Sequence, residues 1–350
     1  MNLIRKIRER IKYHNLRRLW NRVKARQDSI LRRDNVRSYP SFLIVEPCNI
    51  CNLKCPLCPT GQNLPVERGT MKMETFTRII DQLHRYVRHL NLFYLGEPLL
   101  CKELPQMIKY AHKHKIKVSV SSNLNILDVK MAEQLVESQL DHFIVSLDGT
   151  CQGTYAIYRI GGDYDTVIKH IKQLIKIKGK MKSDYPRILI QFVIFRHNQE
   201  EIPEVKKLAK SLGVDIFFRQ GALGGKGQSP PLTKDKQLAK KWLTQTKKYQ
   251  TEYDYFSDKP YLRNGACGYL WNVATINWDG SVLPCCWIYD NEHSFGNIME
   301  QDFEDIWNNV YFRSSRKLFS NKSEPLLSET DTQETVCYQC KMYKHHLNAC

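Results

Sequence analysis

The sequence has no apolar run approaching the ~20 residues that span a bilayer, so no membrane-crossing helix is predicted. The unbroken apolar stretch of a secretory signal is missing too, because charges interrupt every apolar segment between Met1 and Val36. A cytoplasmic location is the expectation. Without an export signal, a chain of 350 residues disfavours a disulfide framework for its twelve cysteines, and their clustering points to metal instead. No internal repeat is visible beyond a βα unit, and no peptide-recognition domain precedes Pro40. An acidic excess is also lacking, since 53 Lys and Arg face 36 Asp and Glu for a net charge of +17.

What is present has globular composition, with 42% hydrophobic and 11% aromatic residues, enough for one large α/β barrel with an extension or for two ordinary domains. The positive charge is concentrated at one end: residues 1–37 carry thirteen Lys and Arg against three acids, a net +10, and the body is only mildly basic. Ile4, Ile7, Ile11, Leu19 and Val23 recur there at roughly helical spacing, which predicts a basic amphipathic helix over residues 3–31. Two uses stay open for it: peripheral contact with an anionic membrane through residues 1–37, or packing on the outside of the following domain.

After Pro40 the periodicity alternates. Strands are expected at 42–45, 91–94, 117–121, 142–146, 188–193 and 215–218. Helices are expected at 76–90, 104–111, 131–137, 167–175 and 202–212, each with one apolar stripe. Six strands with intervening helices predict an α/β fold with a parallel sheet, a partial (β/α)6 TIM-like barrel whose chemistry lies at the C-terminal ends of its strands. The pattern stops near Gly221, where glycines and Pro230-Pro231 mark a domain edge. A helix over 234–249 and a hairpin follow, the latter running from 273–278 through the turn Asp279-Gly280 to 281–283. The expected division is a basic helix at 1–39, a barrel at 40–225, a linking helix within 226–262, and a hairpin-plus-helix extension at 263–350.

Cys51, Cys55 and Cys58 stand as C-x3-C-x2-C directly after the first strand. Three thiolates on one short loop can hold three irons of a cubane and leave the fourth open. A structural zinc site closed by Cys48 is the competing reading of the local spacing. At later strand ends come Leu95-Gly96-Glu97-Pro98, then Ser122-Asn123, then Ser146-Leu147-Asp148-Gly149, with Arg159 ahead of Gly161-Gly162. A glycine permits close backbone approach, and a carboxylate can accept a charged hydrogen bond from an ammonium group.

Over residues 40–345 these features together resemble the radical S-adenosylmethionine superfamily, with its CxxxCxxC hallmark matched without gaps. The resemblance implies that Cys51, Cys55 and Cys58 bind a [4Fe-4S] cluster whose open iron is chelated by S-adenosylmethionine. It leaves Cys48 as a small buried residue. It also implies that Gly96, Glu97 and Pro98 correspond to the GGEP motif holding the methionyl amino group, with Leu95 departing from its first glycine. Ser122 and Asn123 join them as cofactor contacts, while Ser146, Asp148 and Arg159 correspond to groups near the ribose or carboxylate end.

In the second cysteine group, Cys267 precedes Gly280-x4-Cys285, and Cys337-Tyr338-Gln339-Cys340 forms a CxxC near the C-terminus. On spacing alone a zinc ribbon remains open. The arrangement resembles the shortened SPASM or Twitch extension, which implies a second, auxiliary [4Fe-4S] cluster held by Cys267, Cys285, Cys337 and Cys340. Cys350 or His346 is an alternative ligand, and Cys286 is expected to be a packed neighbour.

The implied chemistry is reductive cleavage of S-adenosylmethionine to a 5'-deoxyadenosyl radical that abstracts hydrogen from a substrate carbon, with flavodoxin or ferredoxin as electron donor. The short extension favours an oxidoreductase-type enzyme dehydrogenating a carbohydrate-like small molecule. The alternatives are a maturase of a ribosomal peptide, or a non-catalytic iron-sulfur or zinc protein binding nucleic acid through its basic arm. A binding module would not need Gly96-Glu97 and Ser146 to Asp148 at strand ends, so no specific nucleic acid is expected.

Overall fold

Apolar runs that alternate with one-sided helices have one economical solution, a parallel sheet covered by its crossover helices. The computed structural model describes residues 15–63, 65–221, 236–244, 246, 248, 253–254, 259–260, 267–319, 334–340 and 343. It opens with helix α1 (Leu16–Ile30) and strand β1 (Phe42–Val45). There follow α2 (Met73–Leu83), β2 (His89–Asn91), α3 (Leu104–Lys113), β3 (Lys117–Ser122), α4 (Val129–Glu137) and β4 (His142–Ser146). Next come α5 (Gln152–Tyr158), α6 (Tyr164–Lys180), β5 (Arg187–Ile194), α7 (Ile202–Leu212) and β6 (Asp215–Gln220). β1 to β6 pair in parallel in chain order, forming the partial barrel. Asp128 and Asp163 start α4 and α6 by accepting the backbone N–H groups of Met131 and Thr166, and left-handed Gly213 ends α7.

The later part of the chain holds α8 (Lys236–Trp242), the short pair β7 (Tyr253–Asp254) and β8 (Lys259–Pro260), then α9 (Tyr269–Asn272), β9 (Val273–Ile276), β10 (Val282–Leu283), α10 (Phe303–Trp307) and α11 (Val310–Lys317). The expected hairpin is present, but it is not a separate sheet. β9 runs parallel beside β1, with Phe42 opposite Val273, and β10 adds an antiparallel edge. The extension is thereby fused to the barrel through eight continuous strands.

Several boundaries differ from expectation for identifiable reasons. Val87 and Leu90 extend the apolar pattern of α2 past its end, yet Val87 lies in the turn after the helix and Leu90 is the buried centre of β2. The strand expected at 91–94 is therefore three residues ending at Asn91. Phe93, Tyr94 and Leu95 leave the sheet because Leu95 N–H donates to Glu46 and the Tyr94 hydroxyl donates to the Ile288 carbonyl. The helix expected at 234–249 is observed over Lys236–Trp242. Residues 1–14 of the expected N-terminal helix and the glycine- and proline-rich segment 222–235 lie outside the described residues.

The described part of the N-terminal helix packs with an inverted polarity. Its buried residues are Arg18, Asn21, Ala25 and Asp28, while Leu19 and Val23 of the expected apolar stripe face outward. Arg18 donates to the carbonyls of His84, His114 and Lys115 in the loops leading into β2 and β3. Asn21 exchanges two hydrogen bonds with the Tyr39 backbone, and Asp28 accepts from Arg33, Arg37 N–H and Ser38. Among the described residues no helix is long and apolar enough to cross a membrane.

A second buried cation ties this segment to the extension. Arg316 of α11 is fully buried, donates to the carbonyls of Leu270 and Asp34 and to Asn308, and stacks over Trp307 at 4.6 Å. Burial pulls its pKa down while Asp28 and Asp34 oppose that shift. Arg316→Ala leaves three acceptors without this donor, the Leu270 carbonyl in a buried position. We expect a loss of about 2–4 kcal/mol, measured as a lower midpoint in urea unfolding, with Arg316→Lys recovering only part because one ammonium cannot reach all three.

Candidate functional site

The cysteine loop starts where β1 ends and has little regular structure, so its neighbours must hold it. Residues 67–71 return alongside it: Asn49 accepts from Gly69 N–H and donates to the Glu67 carbonyl, and Met71 N–H reaches the Pro47 carbonyl. On the other side Glu97 N–H donates to the Ile50 carbonyl at 2.8 Å. A Cβ on Gly96 would overlap the Cys48 carbonyl oxygen, so only glycine allows these two backbones to meet. Gly61 plays the same part further along, against the backbone of Cys55. Neither Asn49 nor Gly61 carries a sequence signal of its own.

Cys51, Cys55 and Cys58 line one cavity of about 590 Å³ at the C-terminal ends of the strands. All three are free thiols. Cys48 does not line it: its buried sulfur accepts the Ile50 N–H at 3.3 Å and sits 3.7 Å from the Thr70 hydroxyl. The local alternative of four converging cysteines therefore lacks its fourth member. Burial raises Cys51 to about 12 and Cys55 to about 11, with Arg159 opposing the second shift. Both are protonated thiols near neutral pH until a metal displaces the proton.

The same cavity is lined by Gly96, Glu97, Ser122, Asn123, Ser146 and Arg159. Glu97 is fully buried at the end of the β2 connection. Its carboxylate accepts from the Ser122 hydroxyl (2.7 Å), Asn123 N–H (2.8 Å) and Leu99 N–H (3.1 Å). Burial raises its pKa against these three bonds. The Asn123 amide in turn donates to Asn52 at 2.9 Å and lies 3.7 Å from the Cys51 sulfur. Three of the expected site residues thus form one hydrogen-bonded unit against the cysteine loop.

Two expected site residues stand behind the cavity rather than in it. Pro98 starts a short 3-10 turn and is buried. Asp148 is wholly buried, with one oxygen accepting Val193 N–H at 2.7 Å and the other held by Nε and Nη2 of Arg159, each at 2.6 Å. Burial is the largest single influence on Arg159 and works against its charge, but Asp148, Cys55, Tyr158 and Tyr155 together overcome it and hold the guanidinium pKa well above its ordinary value. Asp148 therefore aims Arg159, whose Nη1 lies 3.8 Å from the Cys55 sulfur.

One wall of the cavity was not foreseen. Tyr94, Gln191, Arg219, Tyr269, Cys286 and Tyr289 line the same cavity as the cysteine loop. Gln191 and Arg219 lie toward the C-terminal ends of β5 and β6, where barrel chemistry is expected, so their positions were the available signal. Cys286 is not merely a packed neighbour: it opens into this cavity and donates to the Tyr269 hydroxyl at 3.0 Å. Glu46, buried beneath and raised to about 8 by burial, accepts Leu95 N–H and holds the wall's approach.

Cys285 packs away from the cavity, with Leu283, Ile288, Val336 and Cys337. Burial dominates its raised pKa and that of Cys337; Cys286, Cys267 and Cys337 add to the first and Cys267 and Cys340 to the second, so the second group gathers around the hairpin. Burial raises Cys267 to about 11 and Cys337 to about 12. Among the described residues no three His, Cys, Asp or Glu side chains converge closely enough for a single metal ion. His346 and Cys350 lie outside the described residues.

Comparison with known proteins agrees with this layout. The radical SAM superfamily model matches residues 45–209, and an iron-sulfur cluster-binding SPASM domain matches residues 267–341. A tungsten-containing aldehyde ferredoxin oxidoreductase cofactor-modifying protein of Pyrococcus furiosus is 24% identical, covering 84% of this chain and 88% of its own length. The PqqA peptide cyclase of Granulibacter bethesdensis is also 24% identical, over 77% of this chain and 74% of its own. The crystal structure of Streptococcus suis SuiB bound to S-adenosylmethionine shares the fold, with a TM-score of 0.63 at 18% identity over 86% of this chain and 73% of that one. The chain belongs to the radical S-adenosylmethionine superfamily, enzymes that use a [4Fe-4S] cluster and S-adenosylmethionine, and it carries a SPASM domain for auxiliary iron-sulfur binding after its barrel.

Proposed function

We propose that this protein modifies a peptide by radical chemistry, with the cavity between the cysteine loop and the Cys286 wall as its active site. The observation that carries the reading is the convergence of Cys51, Cys55 and Cys58 with Glu97, Asn123 and Arg159 on one cavity, while Cys48 is turned away. The donor set fits a cluster with an open iron, and the bound pair of cluster and S-adenosylmethionine would supply a 5'-deoxyadenosyl radical.

The chain's own part is binding and orientation. Glu97 spends three acceptor positions on Ser122, Asn123 and Leu99 and keeps lone-pair capacity toward the cavity for an ammonium group. Arg159, aimed by Asp148, supplies a fixed cation suited to a carboxylate. Gln191, Tyr94 and Arg219 offer polar groups to substrate on the Cys286 wall. Cys267, Cys285, Cys337 and Cys340 are the proposed ligands of the auxiliary cluster, and a ferredoxin or flavodoxin the proposed electron donor.

The peptide reading replaces the carbohydrate dehydrogenation favoured by the short extension. Its support is that relatives matching most of this chain are named for maturation and modification, among them a peptide cyclase. Pooled peptides, and not pooled sugars and cyclitols, should stimulate 5'-deoxyadenosine formation by the reduced holoenzyme. Stimulation by the sugar pool alone would overturn the substrate class.

Cys51→Ala, Cys55→Ala and Cys58→Ala should each reduce S-adenosylmethionine cleavage to background in anaerobically reconstituted protein, whereas Cys48→Ala should retain it. Cleavage lost as completely in Cys48→Ala as in Cys55→Ala would refute the ligand set. Asp148→Asn should weaken S-adenosylmethionine binding by about tenfold, by loosening Arg159. Equilibrium binding to the reconstituted protein measures this, with iron content as the control for an intact cluster.

A further inference from the structure

Helix α1 is amphipathic in the wrong sense for a helix packed on a barrel. Arg18, Asn21 and Asp28 hold it from below, and on the opposite side Leu16, Trp20 and Ile30 are 76%, 65% and 66% exposed. Leu19 and Val23 fall on the same outer stripe at helical spacing. Burying polar groups while exposing a contiguous apolar stripe is the uncommon arrangement that calls for a partner. Exposed Arg17 and Lys24 flank the stripe on one side, and Arg22 and Arg26 on the other.

We propose that this outer face of α1 is a docking surface for an anionic lipid membrane, with Trp20, Leu16 and Val23 entering the interface and the flanking arginines and Lys24 meeting the headgroups. An apolar stripe between two basic margins is the pattern of a helix lying in a membrane surface. The charge excludes the competing occupants. A second copy would bring the same basic margins against themselves, and residues 1–14 of this chain carry five Lys and Arg against one Glu, so they too are repelled. Nucleic acid would use the cations and leave the tryptophan and aliphatic side chains in water.

The placement is consistent with a working enzyme on such a surface. Arg18 binds the loops that lead into β2 and β3, at the N-terminal ends of the strands, whereas the cavity lies at their C-terminal ends. A membrane against α1 therefore lies at the pole opposite the cavity and leaves its mouth clear. The polar anchors explain how the helix stays on the barrel without using its apolar side.

The test is co-sedimentation of the full-length reconstituted protein with phosphatidylcholine vesicles, with and without phosphatidylglycerol. Wild type should partition onto the anionic vesicles. Trp20→Glu combined with Val23→Glu should reduce partition by about tenfold, while 5'-deoxyadenosine formation stays unchanged because neither residue touches the cavity. Arg22→Gln with Arg26→Gln should weaken binding and reduce its salt dependence. Equal partition of wild type and the double glutamate variant overturns the proposal, as does a wild type that stays in the supernatant. So does a concentration-dependent dimer that only the glutamate variant abolishes, or vesicle binding that appears only after residues 1–14 are removed.

Discussion

The loop carrying Cys51, Cys55 and Cys58 cannot hold its own shape. It lacks helix or strand, and three free thiols, of which only Cys55 is buried, contribute little cohesion until a metal joins them. Its form depends on backbone contacts from outside, above all the close approach of Gly96 to the Cys48 carbonyl and the hydrogen bond from Glu97 to Ile50. Those contacts also bring the Glu97 carboxylate to the Ser122 and Asn123 end of β3. One steric condition, the missing side chain at Gly96, thus links the ends of β2 and β3 to the cysteine loop that follows β1.

Arg159 and Asp148 answer a different constraint. A lone guanidinium in this buried position would be costly, and the carboxylate behind it offsets part of that cost while fixing its direction. Asp148 is itself locked by Val193 N–H, so the pair is tied to β5. The arrangement supplies a charged contact without a mobile side chain, which preorganised binding requires.

The extension contributes to the active site because it is part of the same sheet. β9 beside β1 carries the chain to the cavity, and the consecutive cysteines after β10 then divide: Cys285 faces Cys337 and Cys267, Cys286 faces Tyr269 and the cavity. Buried Arg316, reaching Asp34 and Leu270, binds the extension to the segment after α1.

Local chemistry made much of this legible before any fold was known. The C-x3-C-x2-C loop, the strand-end residues and the βα alternation are patterns of spacing, and spacing is a property of the sequence itself. What spacing does not record is direction. It could not say that Cys48 turns away while Cys286 turns in, that Asp148 stands behind Arg159, or that the hairpin joins the barrel, because each follows from which neighbours fill the other side of the backbone. The same holds for α1, where spacing left the stripe of Leu19 and Val23 free to meet either a membrane or the barrel, and the tertiary structure buried Arg18 and Asp28. The order of residues carries the cysteine motif and the repeating unit, and the cofactor chemistry follows from the family they resemble; which side of each element meets the cavity is set by packing, since only packing supplies the partners that make a polar face the buried one.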